Sequence, residues 1–226
     1  VFKARVIRMD MDTTSKKGMH EKIITDFGEH KYDILLGTQM IAKGLDFPLV
    51  TLVGVINADS SLNVPDFRSA EVTFGLLSQV SGRAGRSDLA GEVVIQSYNP
   101  EHYSIVYAKR HDYYSFYKEE MSVRKTLSYP PYYYITLVNI TSRDYDLGFK
   151  EANKIGEFLR KNLSVDTKVL GPSMASVFRI NNIYHYQCII KYKRDDKLNK
   201  VLTHIDNIYK INNKVDVSID VDPIRV

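Results

Sequence analysis

Two short, nearly uninterrupted apolar runs, YDILLGT at 32–38 and VTLVGVIN at 50–57, most restrict what this chain can become. Neither alternates between apolar and polar residues, and both are shorter than an ordinary helix. Strands of that kind are buried on both faces, the habit of parallel sheets layered between helices. The neighbouring stretches agree. ARVIRM (4–9) and GEVVIQSY (91–98) read as further strands. KKGMHEKIITDF (16–27) reads as a helix with Met19, Ile23, Ile24 and Phe27 on one side, and SAEVTFGLLSQVSG (69–82) as another. The first half is therefore expected to be an open α/β layer, whose ligands sit beyond the C-terminal ends of its strands. Residues 101–121 are expected to form one helix, with a stripe of Tyr103, Val106, Tyr107, Tyr113, Tyr114, Tyr117 and Met121 packed on the domain.

LSYPPYYY (127–134) marks a break, because consecutive prolines cannot continue a helix and bias Tyr129 to extended backbone. Beyond it the pattern changes. YITLVNIT (134–141), TKVLGP (167–172), YHYQCIIKY (184–192) and the strictly alternating VDVSIDVD (215–222) read as strands. DLGFKEANKIGEFLRKNL (146–163) and KLNKVLTHIDNIYK (197–210) read as amphipathic helices. The order β-α-β-β-α-β is the split βαβ, ferredoxin-like arrangement. Two domains follow, 1–125 and 126–226.

Composition narrows the class. No apolar run approaches a membrane span, and the single cysteine, Cys188, excludes an internal disulfide and suits a reducing cytoplasm. The net charge of +4 is unevenly placed. Residues 1–125 hold 16 Lys/Arg against 16 Asp/Glu, and residues 126–226 hold 15 against 11, so the excess of four lies in the second half. That hints at a polyanionic partner, with Lys191, Lys193, Arg194, Lys197 and Lys200 as the basic cluster. The six histidines show no metal-ligand spacing. The chain starts on a strand-like VFKARV without an initiator Met, and is expected to be a piece of a longer protein.

Two stretches carry chemistry. QVSGRAGR places Arg83 and Arg86 three residues apart, flanked by Gly82 and Gly85, with Gln79 upstream. Arginine binds phosphate through two parallel hydrogen bonds, and glycines let backbone approach an anion. The same string also suits a surface loop paired with acids such as Asp88. GTQMIAKGLDFP (37–48) follows a strand. Its Thr38 hydroxyl and amides can hold a nucleic-acid phosphate, and the Asp46 carboxylate can accept from a ribose hydroxyl. A βα loop with a capping Thr is the plainer alternative.

In this order the two stretches resemble motifs V and VI of superfamily 2 helicases. RMDMDTTSKKGMHEKI, PDFRSAE, GEVVIQSYNPEHY, YPPY and the terminal IDVDP extend the resemblance, over essentially the whole chain, to the primosomal protein N′ (PriA) family of replication-restart DNA helicases. That resemblance implies a RecA-like second helicase lobe in 1–125 and a DNA- or partner-binding domain in 126–226. It implies ATP- and Mg²⁺-driven 3′→5′ unwinding of stalled forks in the cytoplasm, at the nucleoid, followed by reloading of the replicative helicase. Gln79, Arg83 and Arg86 would face the ATP γ-phosphate, with the arginines as fingers. Asp46, Gly44 and Gly82 would lie by the nucleotide. Thr38 and Lys43 would meet the DNA backbone; Lys193, Arg194 and Lys197 are DNA candidates from the basic cluster alone, where a solvated face is the plainer alternative. Leu45 stands where some relatives carry His. Branched and single-stranded DNA, single-strand-binding protein and primosome loaders are the implied partners of a monomer.

The chain has no G-x-x-x-x-G-K-[ST] loop and no acidic metal motif. The triphosphate and Mg²⁺ would thus be held by an upstream lobe, and Zn²⁺ is expected only in an upstream cysteine-rich segment. This chain alone is expected to be inactive. Another superfamily 2 translocase, or a non-catalytic scaffold in 126–226, remains an alternative.

Overall fold

The computed structural model describes residues 3–38, 41, 45, 47–82, 90–211 and 215–224. Their contacts form two compact units. One comprises residues up to Val64 together with Arg68–Lys118; the other comprises Pro65–Phe67 and the chain from Glu119 onward.

The first unit runs β1 (Val6–Met9), α1 (Met19–Gly28), β2 (Ile34–Gly37), β3 (Leu52–Val55), α2 (Asp59–Leu62), α3 (Ser69–Ser81), β4 (Glu92–Ile95), α4 (Tyr103–Lys109) and the start of α5 (Tyr113–Thr126). β1 pairs in parallel with β2, and β3 with β4. The expected single sheet is instead two pairs among the described residues. A cleft of about 1680 Å³ is lined by β2 and β3, with Phe27, Thr73 and Leu77 also on its wall. Nor are the strands buried on both faces: Ile34, Leu36, Leu52 and Val94 are 44–59% exposed. Each four-residue strand alternates exposed positions with half-buried ones, or in β1 with the half-buried Ile7 and the buried Met9.

Two small cores hold this unit. Met9, Ile23 and Leu45 form one, with Ile7, Leu35 and Phe47 packed against it. Phe27 and Phe47 meet edge to face at 4.8 Å. Ala58, Phe74, Leu77, Ile105, Ala108 and Phe116 form the other. The single helix expected over 101–121 is broken. His111 takes a left-handed φ of 53°, and the Asp112 carboxylate accepts the Ser115 N–H at 2.9 Å, starting a new helix. The tyrosine stripe is redistributed by that break. Tyr103 and Tyr107 pack on the core, while Tyr113, Tyr114 and Tyr117 are exposed. Phe116, Glu120 and Arg124, four residues apart, form the buried edge of α5 instead.

The second unit continues with β5 (Tyr134–Ser142), α6 (Tyr145–Asn162), β6 (Lys168–Ile180), β7 (Ile183–Tyr192), α7 (Leu198–Ile211) and β8 (Asp216–Val221). Its sheet is antiparallel in the order β6-β7-β5-β8. The strand expected at 167–172 runs on to Ile180 through two register shifts. It turns back at Asn181 and Asn182, both at positive φ, the backbone of a tight hairpin. One face of the sheet carries Val138, Ile140, Tyr186, Cys188 and Ile190 into a core with Ala152, Ile155 and Leu159 of α6 and Val201, Leu202 and Ile205 of α7. Asp144 caps α6 by accepting the Leu147 N–H at 2.9 Å. A Cβ at Gly148 would lie 2.7 Å from the Tyr186 ring, so only glycine lets α6 approach the sheet this closely.

Candidate nucleotide and nucleic-acid sites

In the first unit the candidate site is built at the C-terminal strand ends. The register Met9↔Gly37 puts Asp10 and Thr38 just beyond adjacent strand ends. Gly37 is dictated by close approach, because a Cβ there would sit 2.4 Å from the Met9 carbonyl oxygen. Thr38 is exposed, and its carbonyl accepts the Ile41 N–H at 3.1 Å. The Asp10 carboxylate accepts the Thr13 N–H at 2.9 Å and a bond from the Arg8 guanidinium. Those bonds, the Thr13 amide first, hold its pKa below the usual carboxylate range despite burial.

The other strand pair ends alongside Asp59, which sequence reasoning missed. Its carboxylate accepts from Ser97 Oγ at 2.8 Å, the Tyr98 N–H at 2.8 Å and the Asn99 N–H at 3.3 Å. The loop after β3 is thereby tied to the loop after β4. These bonds, led by the Tyr98 amide, keep Asp59 ionised to lower pH than usual. The available signal was an Asn-Ala-Asp string directly after an apolar strand.

Gln79 is exposed on the last turn of α3, and Gly82 follows as the residue capping that helix. Arg83, Arg86, Lys43, Gly44 and Asp46 lie outside the described residues. Leu45 is buried in the Met9 core, which gives that position a packing role. No group of three His, Cys, Asp or Glu residues is placed to hold a metal ion among the described residues.

In the second unit the basic cluster separates into different environments. Lys193, Arg194 and Lys197 are exposed. Arg194 pairs with Asp196 at 3.1 Å across open solvent, a contact worth little in stability. The Lys197 backbone N–H donates to Asp195 at 3.0 Å. Lys191 differs: it is 5% exposed, donates to the Leu127 carbonyl at 3.0 Å, and lies 3.4 Å from the centroid of the Tyr129 ring. Burial first, and then the neighbouring Lys168 charge, lower its pKa.

A parallel-stranded α/β unit followed by an antiparallel sheet covered on one face by two helices has matches in two family models. Residues 2–88 match the helicase conserved C-terminal domain, and residues 125–224 match the primosomal protein N C-terminal domain. The chain is 57% identical over 223 residues to a replication restart protein PriA of Bacillus subtilis, covering 97% of this chain and 28% of that relative. It is 40% identical over 220 residues to the Chlamydia muridarum protein of the same name, covering 97% of this chain and 29% of the relative. A Synechocystis protein of that name is 40% identical over 223 residues, 98% of this chain and 26% of the relative. The chain belongs to the PriA family of replication restart proteins, and spans between a quarter and a third of the length of these relatives.

Proposed function

We propose that this chain is the C-terminal part of an ATP-dependent 3′→5′ DNA helicase that remodels stalled replication forks and starts primosome assembly. The first unit is a RecA-like second lobe. The second is a ferredoxin-like module for DNA or protein contact, a reading supported by β7 lying between β5 and β6, and β5 between β7 and β8. One observation carries the proposal. The segment matched by the helicase model includes Thr38 just beyond a parallel strand and Gln79 and Gly82 at the end of α3. Such sheets bind ligands at that end.

The donor set suits a nucleotide whose phosphates another lobe holds. ATP with Mg²⁺ supplies the phosphoryl group. Arg83 and Arg86 stabilise charge on its γ-phosphate, which Gln79 also faces, Asp46 sits by the ribose, and Gly44 and Gly82 lie by the nucleotide. Thr38 and Lys43 hold the DNA backbone and couple it to the nucleotide. The partners are branched and single-stranded DNA, single-strand-binding protein and primosome loaders, in the cytoplasm at the nucleoid. Zn²⁺ belongs to another segment of the full-length protein.

The test is steady-state ATP hydrolysis with fork DNA. A protein of the relatives' full length hydrolyses ATP, and this chain alone does not; turnover by this chain alone overturns the division of labour. For the second unit, changing Lys193, Arg194 and Lys197 to Ala should weaken DNA binding about equally on different sequences. A sequence-dependent loss would count against backbone contact.

A further inference from the structure

We propose that Lys168 and Lys193, with Lys191 beneath them, seat a phosphodiester of a nucleic-acid strand at one end of the second unit's sheet. The proposal rests on the DNA-binding reading of residues 126–226 and assigns it a place. The register Lys168↔Lys191 makes those two residues direct cross-strand neighbours, although 23 positions separate them in sequence. Lys193 follows two residues after Lys191, just past the end of β7. Lys168 and Lys193 converge on one ring: their Nζ atoms lie 5.5 Å and 5.2 Å from the Tyr133 centroid.

Like charges directly opposite on a sheet repel. None of the three ammonium groups has a carboxylate within 4.0 Å among the described residues. Two acids in the loop after β7 are engaged elsewhere. Asp195 accepts from the Ser164 N–H and hydroxyl, the Thr167 hydroxyl and the Lys197 N–H. Asp196 pairs with Arg194. The rings of Tyr129 and Tyr133 ease the repulsion only by their quadrupoles. An anion would remove it.

The two outer lysines can take one. Both are exposed, and Lys168 spends one donor on Ser128 Oγ at 2.7 Å, leaving two. Lys193 makes its described contact only with the face of Tyr133. Two compact, hydrated point charges suit a phosphate and read no base edge. Lys191 is already held by the Leu127 carbonyl and adds only its field.

The test is anisotropy of a labelled oligothymidylate bound to this chain at 50 and 200 mM salt, with thermal unfolding checked for each variant. Lys168→Gln should lower the salt slope by about 0.7, so that the wild-type advantage shrinks about 2.6-fold between the two salts. Lys168→Arg keeps the charge and should keep the slope. Ser128→Ala removes only the hydrogen bond and should also keep it. So should Lys161→Gln, on the last turn of α6. Wild-type slope in Lys168→Gln overturns the site, as does an equal loss in Ser128→Ala or Lys161→Gln. Displacement by inorganic phosphate at matched ionic strength overturns it too, in favour of a free-anion site. If wild type binds no oligothymidylate even at 50 mM, the DNA reading of the whole unit falls, and the site falls with it.

Discussion

Asp59 Oδ2 accepts the backbone N–H of Tyr98 at 2.8 Å, joining positions 39 residues apart. The bond fixes the loop after β4 against the turn that begins α2, so two strand ends are held by one carboxylate. Asn at this position offers one acceptor oxygen to three donors and brings an NH₂ that accepts nothing. Asp59→Asn should lower the thermal midpoint. The carboxylate's pKa is depressed in the fold, so its contribution is present above the unfolded value and is lost as pH falls through the folded one. Unfolding midpoints measured between pH 6 and pH 2 should therefore converge for Asp59→Asn and wild type at the acid end. A constant gap would show that the carboxylate charge is irrelevant.

The buried pair on α5 makes a second prediction. Arg124 Nε donates to Glu120 Oε1 at 2.6 Å, both side chains are under 10% exposed, and the Arg124 guanidinium lies 5.1 Å from the Phe67 ring centroid. Glu120→Ala removes a carboxylate from a buried guanidinium, a change that typically costs about 3–5 kcal/mol. Denaturant unfolding should show a loss of that order. A loss below about 1 kcal/mol, the range of exposed pairs, would mean the pair is solvated in practice.

Truncation tests how the linker is used. Leu127, Ser128, Tyr129 and Tyr133 provide the contacts of Lys191, Lys168 and Lys193. A piece spanning 119–226 should fold by circular dichroism, whereas 134–226 should melt at lower temperature, because Lys191 loses its carbonyl and its ring. Equal midpoints would show that the Pro-Pro segment is a passive tether. Limited proteolysis should then spare residues 122–133, although the prolines alone point to a cut there.

Cys188 gives a pH test. Burial pushes its thiol up to about 11. Thiolate is the reactive form, so the native chain at pH 8 should resist a thiol reagent until it unfolds. The neutral thiol favours the fold at low pH, and that contribution fades as pH rises above the unfolded value and through the folded one. Prompt labelling of native protein at pH 8 would contradict the burial.

Much of this architecture was legible because hydrophobic period survives in the sequence. The alternation of residues 215–222 anticipated β8, and the stripe Leu198, Val201, Leu202, Ile205 anticipated the buried face of α7. What escaped was set by single residues or by distance. His111 and Asp112 broke a helix that the tyrosine spacing favoured. β6 continued past Pro172 and Ser173 because pairing with β7 outweighed their local preference. α2 is four residues long, too short to show a period. At the sites, the motif strings were readable in order, but Asp59 and Lys168 were not. Their partners lie 38–40 and 23–40 residues away, and only the fold brings them together.

Under the proposed function, QVSGRAGR addresses the γ-phosphate of ATP. The most direct test is steady-state ATP hydrolysis with saturating fork DNA by a protein of the relatives' full length carrying Arg86→Ala, beside a binding titration of the same variant. An arginine finger is worth about 10³–10⁵ in rate, so hydrolysis should be lost while fork binding survives. Arg86→Lys should restore little, since a point charge does not reproduce a planar fork. Retention of more than about a tenth of the wild-type rate, far short of that finger range, would contradict the account and make the stretch a DNA-contact or structural loop.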